Sequence, residues 1–325
     1  MEKNIYLYLI FLLFTSCKYI KKETTPLEDT AISSIERPSF SSDSAYLFIQ
    51  EQVNFGNRVP GTAPHTACKN YLVDKLSQYA DTVLVQSTMV TLFDGKQVPC
   101  YNIVGSYNRS ATKRLLLAAH WDTRPYADQD DKDKHKPIAG ANDGGSGVGV
   151  LLEVARQLSL KNPSMGIDII FFDVEDWGQP DFSMLPYKED TYCLGSQYWS
   201  KNPHVMGYTA QQGILLDMVG GKGATFALEG TSMRYAPEFM RKVWIRAEEL
   251  GYAQYFRQIE SPPIVDDHFY VNTIANIPMI DIIHRDPATA SGFPHYWHKH
   301  IDDMSSVDKA SLQAVGETVL SVIYE

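Results

Sequence analysis

The sequence predicts a single α/β domain built on a central mixed, mostly parallel β-sheet that is flanked by helices. Strand-length apolar runs alternate with helix-length segments, and no internal repeat or second linker interrupts the alternation. The chain has 325 residues, of which 44% are hydrophobic, so it can bury a large core. An alternation of this kind covers both faces of a sheet with helices.

The individual elements follow from local patterns after residue 40. Helical periodicity indicates three helices, and the third begins directly after the glycine-rich stretch Gly144-Gly145-Ser146. Short apolar runs bounded by turn residues indicate the strands. We predict helices over residues 44–52, 67–78 and 147–158, and strands over residues 83–90, 101–106, 114–119 and 167–172.

Polar residues follow three apolar runs, at residues 115–119, 169–172 and 214–216, at the point where each run ends. In open α/β sheets, the carboxyl ends of the strands border the crevice where ligands bind. A single carboxylate at such a position is more typical of a helix cap or a turn. Residues of the same chemical kind at the ends of three strands instead predict a functional site. The candidate residues, all of types that bind metals or transfer protons, are His120, Asp143, Glu175, Asp176, Asp217 and His298.

The charge balance narrows the class of partner. The chain carries 29 Lys and Arg against 39 Asp and Glu, a formal net charge of -10. Such a composition lacks the basic surface that nucleic acid requires, so we predict no nucleic-acid partner. A peptide, a protein or a small molecule is the expected partner. The oligomeric state does not follow from the sequence.

A short targeting segment begins the chain. Lys3 precedes an apolar stretch that is too short to anchor stably across a bilayer, as in the central region of a signal peptide. Thr15-Ser16-Cys17 then resembles the lipobox of bacterial lipoproteins, although Phe14 stands where leucine is usual. We predict a lipoprotein signal peptide over residues 1–16, lipidation of Cys17, a polar tether over residues 17–40 and a catalytic α/β domain over residues 41–325.

This interpretation places the protein in the bacterial cell envelope, lipid-anchored and facing the periplasm or the outside. Membrane contact is then expected only through the lipid anchor. Three further cysteines, Cys68, Cys100 and Cys193, remain in the mature chain. An odd number in an oxidising compartment allows at most one internal disulfide, and the sequence does not select the pair.

Three local motifs carry the expected chemistry. In His120-Trp121-Asp122, a carboxylate two residues after a ligand-type histidine can orient an imidazole. In Asp143-Gly144-Gly145, glycines let the backbone bend tightly before a helix, and the absence of a following lysine argues against a phosphate loop. The adjacent carboxylates of Glu175-Asp176 can divide their roles, one toward a metal and one toward a reacting proton.

Together, these motifs resemble those of the M28 zinc aminopeptidase superfamily and, within it, the glutaminyl-peptide cyclotransferases, or glutaminyl cyclases. The resemblance covers about residues 45–322. Trp297 directly before His298 resembles the aromatic pocket of the cyclases. The segments at residues 215–220 and 265–268 resemble those that supply their acidic hydrogen-bond network.

The resemblance implies one zinc ion per chain, held by Asp143, Asp176 and His298 with a fourth position open. It implies that Glu175 shuttles protons. Asp217, with Asp267 behind it, is implied to stabilise and position Glu175. The remaining implied or candidate residues are Trp297, Phe293 and Trp121 in the substrate pocket, and His120 and Asp122 as ligands of a second metal or as supports of the first set. The loop over residues 124–138 is expected to border the mouth of the site or to be simply solvated.

The implied reaction converts the N-terminal glutamine of a peptide or protein to pyroglutamate and releases ammonia. Two alternatives remain open. In a two-zinc aminopeptidase, Asp143 bridges both metals, His120 and Asp217 complete one site, and Asp176 and His298 complete the other. In the second alternative, the chain is a catalytically inactive binding lipoprotein that keeps only the fold.

Overall fold

The computed structural model describes Met1 and residues 37–325. Every predicted helix and strand is present, with ends at the predicted bounds or a few residues beyond them. The helices are α1 Ser42–Asn54, α2 Ala63–Tyr79, α3 Gly145–Leu160, α4 Leu194–Lys201, α5 Gly230–Tyr235, α6 Pro237–Glu249, α7 Asp267–Tyr270 and α8 Lys309–Ile323. The strands are β1 Thr82–Thr91, β2 Gln97–Tyr107, β3 Arg114–His120, β4 Gly166–Phe172, β5 Gln212–Asp217, β6 Phe226–Glu229, β7 Phe256–Ser261 and β8 Met279–Ile283.

Six strands form the main sheet in the order β1-β2-β4-β3-β5-β8. The pairs β1–β2 and β2–β4 are antiparallel, whereas β4, β3, β5 and β8 run parallel to one another. Because both faces of the parallel part are covered, β4 and β8 are buried along their whole length. The strands β6 and β7 form a separate parallel pair. The predicted mixed, mostly parallel sheet flanked by helices is therefore confirmed.

Helices α1, α3 and α8 pack against one another on one face of the sheet, over the largest apolar core. On the other face, α4 packs against α7 and the π-helical turn Val271–Ala275 that follows it. Gly147 brings α3 close to β5, because a Cβ at this position would lie 2.2 Å from the backbone oxygen of Leu216. This close approach places the loop before α3 beside the end of β5.

The three cysteines of the described chain, Cys68, Cys100 and Cys193, are all buried and none forms a disulfide with another. Within residues 37–325, no helix combines the length and the apolar character needed to cross a bilayer. The predicted signal peptide, the lipidation site Cys17 and the tether as far as residue 36 lie outside the described residues.

Candidate active site

The six candidate residues converge at the carboxyl ends of the parallel strands. His120 is the last residue of β3, Asp217 is the last residue of β5, and Glu175 and Asp176 lie in the turn after β4. A cavity of about 270 Å³ opens above these strand ends and is lined by Asp143, Glu175, Asp176, Asp217 and His298, among others. The convergence predicted from three polar strand ends is therefore present in the structure.

Asp143, Asp176 and His298 form a cluster in which one ligand atom from each lies within 4.8 Å of the others. His298 Nε2 is 3.2 Å from Asp176 Oδ1 and 3.9 Å from Asp143 Oδ2. The Oδ2 atoms of both aspartates are buried without a hydrogen-bond partner. Buried, unpartnered carboxylate oxygens facing an imidazole nitrogen are satisfied by a cation, so this donor set fits a zinc ion.

Two carboxylates outside the cluster hold its members in place. Asp302 accepts hydrogen bonds from the backbone nitrogens of Asn142 at 2.9 Å and Asp143 at 3.0 Å, which orders the loop before α3. Asp122 accepts from the backbone nitrogens of Glu175 at 3.0 Å and Asp176 at 3.2 Å. Asp122 therefore shapes the turn that carries both acids and supports the first ligand set.

His298 is oriented from the loop over residues 124–138. Its Nδ1 is 3.1 Å from Asp128 Oδ1, and Arg124 donates to both oxygens of Asp128, at 2.8 and 2.5 Å. Burial raises the pKa of Asp128, but hydrogen bonds from His298 and Arg124 outweigh burial and hold this pKa below its usual value. With Nδ1 bound to Asp128, Nε2 faces the two metal-type aspartates.

The loop over residues 124–138 thus borders the site, which was one of the two expectations from the sequence; the other was that the loop is simply solvated. The sequence did not single out Asp128 or Arg124, because neither belongs to a strand end or a local motif. His298 itself has a φ of +54°, in the left-handed region that is uncommon for residues other than glycine.

His120 lies beneath the cavity between two carboxylates. Its Nε2 is 3.1 Å from Asp143 Oδ1 and 3.2 Å from Asp217 Oδ1, so His120, Asp143 and Asp217 form a second metal-type cluster. Burial lowers the pKa of His120, but the neighbouring carboxylates of Asp122, Asp143 and Asp217 outweigh it and raise this pKa well above its usual value. The position of the His120 ring suits a ligand of a second metal. It also suits a charged imidazole that supports the surrounding carboxylates.

Glu175 lines the cavity with a carboxyl group suited to proton transfer. Burial is the main reason that its pKa lies well above the usual value, and neighbouring Asp176, Asp266 and Asp267 raise it further, while His120 opposes this shift. The thiol of Cys193 donates a hydrogen bond to Glu175 Oε1 at 3.3 Å. A carboxyl group of raised pKa at the wall of a cavity is typical of a general acid and base.

Asp217 and Asp266 face the same cavity as Glu175. Burial raises the pKa of Asp217 to about 7, despite the opposing hydrogen bond and charge of His120. Asp266 caps α7 and accepts a hydrogen bond from the backbone nitrogen of Asp267. The cavity-lining acid of this segment is therefore Asp266, which the sequence analysis did not propose, whereas Asp267 is fully buried and does not line the cavity.

Aromatic side chains form one wall of the cavity. Trp297 and Phe293 both line it, with ring centroids 4.7 Å apart, and the indole of Trp297 stacks on the His298 imidazole at 3.8 Å. Tyr192 also lines the cavity, although it belongs to no motif that the sequence displays.

The prediction that Trp121 lies in the substrate pocket is wrong. Trp121 is fully buried, stacks on His65 at 4.3 Å and donates through Nε1 to the backbone oxygen of Tyr101. Its backbone nitrogen donates to Phe172 at 3.0 Å, which continues the pairing of β3 with β4 beyond His120. Because side chains alternate along an extended strand, His120 and Asp122 face the site and Trp121 points to the opposite side.

The model of peptidase family M28 matches residues 102–323, a segment that contains every residue of the site. The chain belongs to peptidase family M28. This M28 chain is 52% identical to Tannerella forsythia glutaminyl cyclase, with a TM-score of 0.87, over 89% of this chain and 99% of that one. It is 50% identical, with the same TM-score and coverage, to a Zn-dependent exopeptidase from Parabacteroides distasonis.

Similarity extends to more distant relatives. Glutaminyl-peptide cyclotransferase from Bos taurus is 23% identical over 297 residues, which cover 82% of this chain and 78% of the bovine protein. The resemblance to glutaminyl cyclases within the M28 family, inferred from the motifs around the strand ends, is therefore confirmed.

Proposed function

We propose that this M28 protein is a zinc-dependent glutaminyl-peptide cyclotransferase with one zinc ion per chain. It converts the N-terminal glutamine of peptides or proteins to pyroglutamate and releases ammonia. The observation that carries the proposal is the aromatic wall beside the ligand cluster, where Trp297 stacks on His298 and lines the same small cavity as Glu175. The similarity to Tannerella forsythia glutaminyl cyclase supports it.

The cavity suits one small, flat side chain. At about 270 Å³, it has room for little more than a single residue of a peptide. Trp297 and Phe293 present aromatic surface to the planar amide of glutamine, while Asp217 and Asp266 present carboxylates to its α-amine. The two reacting groups belong to the same residue, so the main task of the site is to hold them in the geometry of ring closure.

Asp143, Asp176 and His298 are the residues that would hold the zinc ion. When bound there, zinc supplies Lewis-acid polarisation of the side-chain carbonyl group. Glu175 then accepts a proton from the α-amine as the nitrogen forms a bond to the amide carbon. The same proton passes to the departing amide nitrogen, the carbon–nitrogen bond of the side chain breaks, and ammonia leaves. The raised pKa of Glu175 suits both transfers.

A two-zinc aminopeptidase is the second candidate, and one observation favours it. His120, Asp143 and Asp217 form a second metal-type cluster that shares Asp143 with the first. The similarity to a Zn-dependent exopeptidase from Parabacteroides distasonis agrees with this alternative. In that case, Glu175 would activate a water molecule for attack on a peptide bond.

The deciding experiment uses purified protein of measured zinc content. Ammonia release and loss of mass are followed with a peptide that begins with glutamine, and free amino-acid release with one that begins with leucine. Ammonia together with one zinc per chain supports the cyclotransferase. Leucine release together with two zinc ions assigns the site to the aminopeptidase, and inactivity toward both peptides supports the inactive binding lipoprotein.

We also propose that Cys17 carries a lipid that anchors the protein in the bacterial cell envelope, where its peptide substrates would be secreted chains. The lipobox-like segment Thr15-Ser16-Cys17 supports this proposal. Metabolic labelling with a fatty acid is expected to mark the wild-type protein and not the Cys17→Ala variant. Equal labelling of both proteins would remove Cys17 from this role.

A further inference from the structure

A groove of about 510 Å³ opens beside the wall of the active-site cavity. Strands β6 and β7 and the loop that follows β8 form its sides. Its charged residues are Arg257, Glu260 and Arg285, and Ile259, Ser261 and Gly292 are among its uncharged ones. Nothing in the mechanism proposed above uses this groove.

The groove and the cavity are lined by neighbouring residues of three chain segments. Each segment contributes one residue to the cavity and another, one or two positions away, to the groove. The two spaces therefore lie side by side along these segments, and in the described part of the chain no other helix or strand lies between their neighbouring lining residues. The cavity is lined by Ile264, Ile283 and Phe293. The groove is lined by Pro262, Arg285 and Gly292 from the same segments.

Arg285 stands at the junction of the two spaces. Its guanidinium lies 4.4 Å from the ring centroid of Phe293, whose other aromatic neighbour is Trp297. The backbone of Arg285 is held by Thr225, which accepts from its nitrogen at 2.9 Å and donates through Oγ1 to its oxygen at 3.0 Å. A Cβ at Gly292 would lie 2.6 Å from Arg285 Nη2, so the guanidinium packs closely against the backbone of this loop.

The guanidinium of Arg285 has unused hydrogen-bonding capacity. Its Nη1 is buried without a hydrogen-bond partner. Among residues 37–325, no carboxylate lies within 4.0 Å of this side chain. A buried donor without a partner is costly. Asp281 and Glu229 act on the charge of Arg285 from a distance, but neither forms an ion pair with its guanidinium. Arg285 is only half-buried, and its side chain makes no hydrogen bond within residues 37–325, so the exposed part of the guanidinium can pair with the carboxylate of a ligand.

We propose that the groove binds the part of the substrate that follows its N-terminal glutamine, and that Arg285 selects peptides with an acidic side chain in that part. The proposal rests on the proposed cyclotransferase function. The closeness of the groove to the cavity places it where the residues after the N-terminal glutamine would lie. Among the residues that line the groove, Arg257 and Arg285 outnumber the single acid Glu260, which supplies the complementarity with an acidic peptide.

The test measures cyclisation of amidated tetrapeptides that begin with glutamine, are otherwise alanine, and carry one Glu or one Lys at position two, three or four. Amidation removes the terminal carboxylate as a competing ligand. At the position that reaches Arg285, we expect kcat/KM for the Glu peptide to exceed that of the Lys peptide about tenfold, mainly through KM. We expect Arg285→Gln to reduce this ratio to about one, and Arg285→Glu to invert it.

The ratio separates recognition from a structural effect, because a distorted site would slow both peptides together and leave their ratio unchanged. Arg241→Gln, which removes an exposed arginine on α6, is the matched control and keeps the wild-type ratio. A ratio near one at every position of the wild-type protein overturns the proposal. A ratio that survives in Arg285→Gln and Arg285→Glu also overturns it.

The experiments distinguish a wrong role for the groove from a wrong cyclotransferase function. If no peptide releases ammonia, the cyclotransferase function is wrong, whatever the groove does. Binding of the same Glu and Lys peptides to wild-type protein and to Arg285→Glu, followed by tryptophan fluorescence, then decides the role of the groove. Equal affinity of both proteins for both peptides would refute it.

Discussion

The thiol of Cys193 donates a hydrogen bond to Glu175 Oε1 at 3.3 Å, and the backbone nitrogen of Cys193 donates to the Glu175 backbone oxygen at 2.8 Å. The start of α4 is thereby joined to the turn after β4 through the backbone and the side chain of the same two residues. Cys193 is buried and has a φ of +57°, so the surrounding structure fixes its position. Cys193 therefore positions the carboxyl group that the proposed mechanism uses.

Removal of this thiol is expected to slow the reaction without unfolding the protein. Cys193→Ala removes the donor to Glu175, so we expect kcat to fall about tenfold with little change in KM. Cys193→Ser keeps a hydroxyl donor at the same place and is expected to restore most of the loss. The assay is ammonia release, with thermal unfolding as the check on folding. Equal activity of the alanine and serine variants would contradict a positioning role.

Substitution of Glu175 by glutamine is expected to abolish turnover while zinc remains bound. Glutamine has nearly the shape of glutamate but cannot accept and return the proton, so we expect kcat to fall by about 10²- to 10⁴-fold. Zinc content after dialysis should match the wild-type protein, since Asp143, Asp176 and His298 are unchanged. Glu238→Gln, an exposed site on α6, is the matched control. Retained activity would remove Glu175 from the role of base.

Asp128 is expected to govern the affinity for zinc although it is not one of the proposed ligands. Its contact with His298 Nδ1 orients the ring and increases the basicity of Nε2. We expect Asp128→Asn to weaken zinc binding about 10- to 100-fold in a competition titration with a chelator. Asp130→Asn provides the control in the same loop, because Asp130 contacts His300 instead. Identical affinities of the two variants would refute the role of Asp128.

His284 is expected to make the protein less stable in mild acid. It is 5% exposed, and burial lowers its pKa from 6.5 to about 4. The unfolded chain therefore binds a proton between these two pH values while the folded chain does not, so the free energy of unfolding falls as pH decreases through this window. The full effect below the window is about 3 kcal/mol.

The measurement is urea unfolding at pH 7 and pH 5 for the wild-type protein and His284→Gln. Glutamine can still accept the hydrogen bond from the Tyr296 hydroxyl, which lies 3.0 Å from His284 Nδ1, but it does not titrate. The variant is expected to lose less stability between the two pH values. An identical loss in both proteins would show that His284 does not contribute.

Local sequence patterns were sufficient for the class of the fold, for the elements α1–α3 and β1–β4, and for the main members of the site. The apolar runs that become β3, β4 and β5 are continuous because these strands are covered on both faces, and the polar residues at their ends reach one edge because the strands are parallel. The glycines after Asp143 indicated the bend that opens α3. Each of these signals lies within a few residues of the position that it predicts.

The supports of the site could not be predicted in this way. Asp128 reaches His298 across 170 positions of the chain, and Asp302 reaches Asp143 across 159. The sequence displays no local pattern that links such pairs, because only the folded chain brings them together. The wrong placement of Trp121 in the pocket came instead from reliance on nearness in sequence. Its neighbours in sequence belong to the site, but the alternation of side chains along the strand turns it into the core.

The sequence by itself determined the class of sheet, the elements as far as β4, the chemical types of the ligand and base residues, and the family. These properties follow from hydrophobic periodicity and from short motifs. Only the tertiary structure decided which carboxylates face the cavity and which ones orient His298 and Glu175. It also placed Arg285, which forms no ion pair within residues 37–325, beside the aromatic wall. Those properties depend on distances between segments that are far apart in the chain, and packing alone sets such distances.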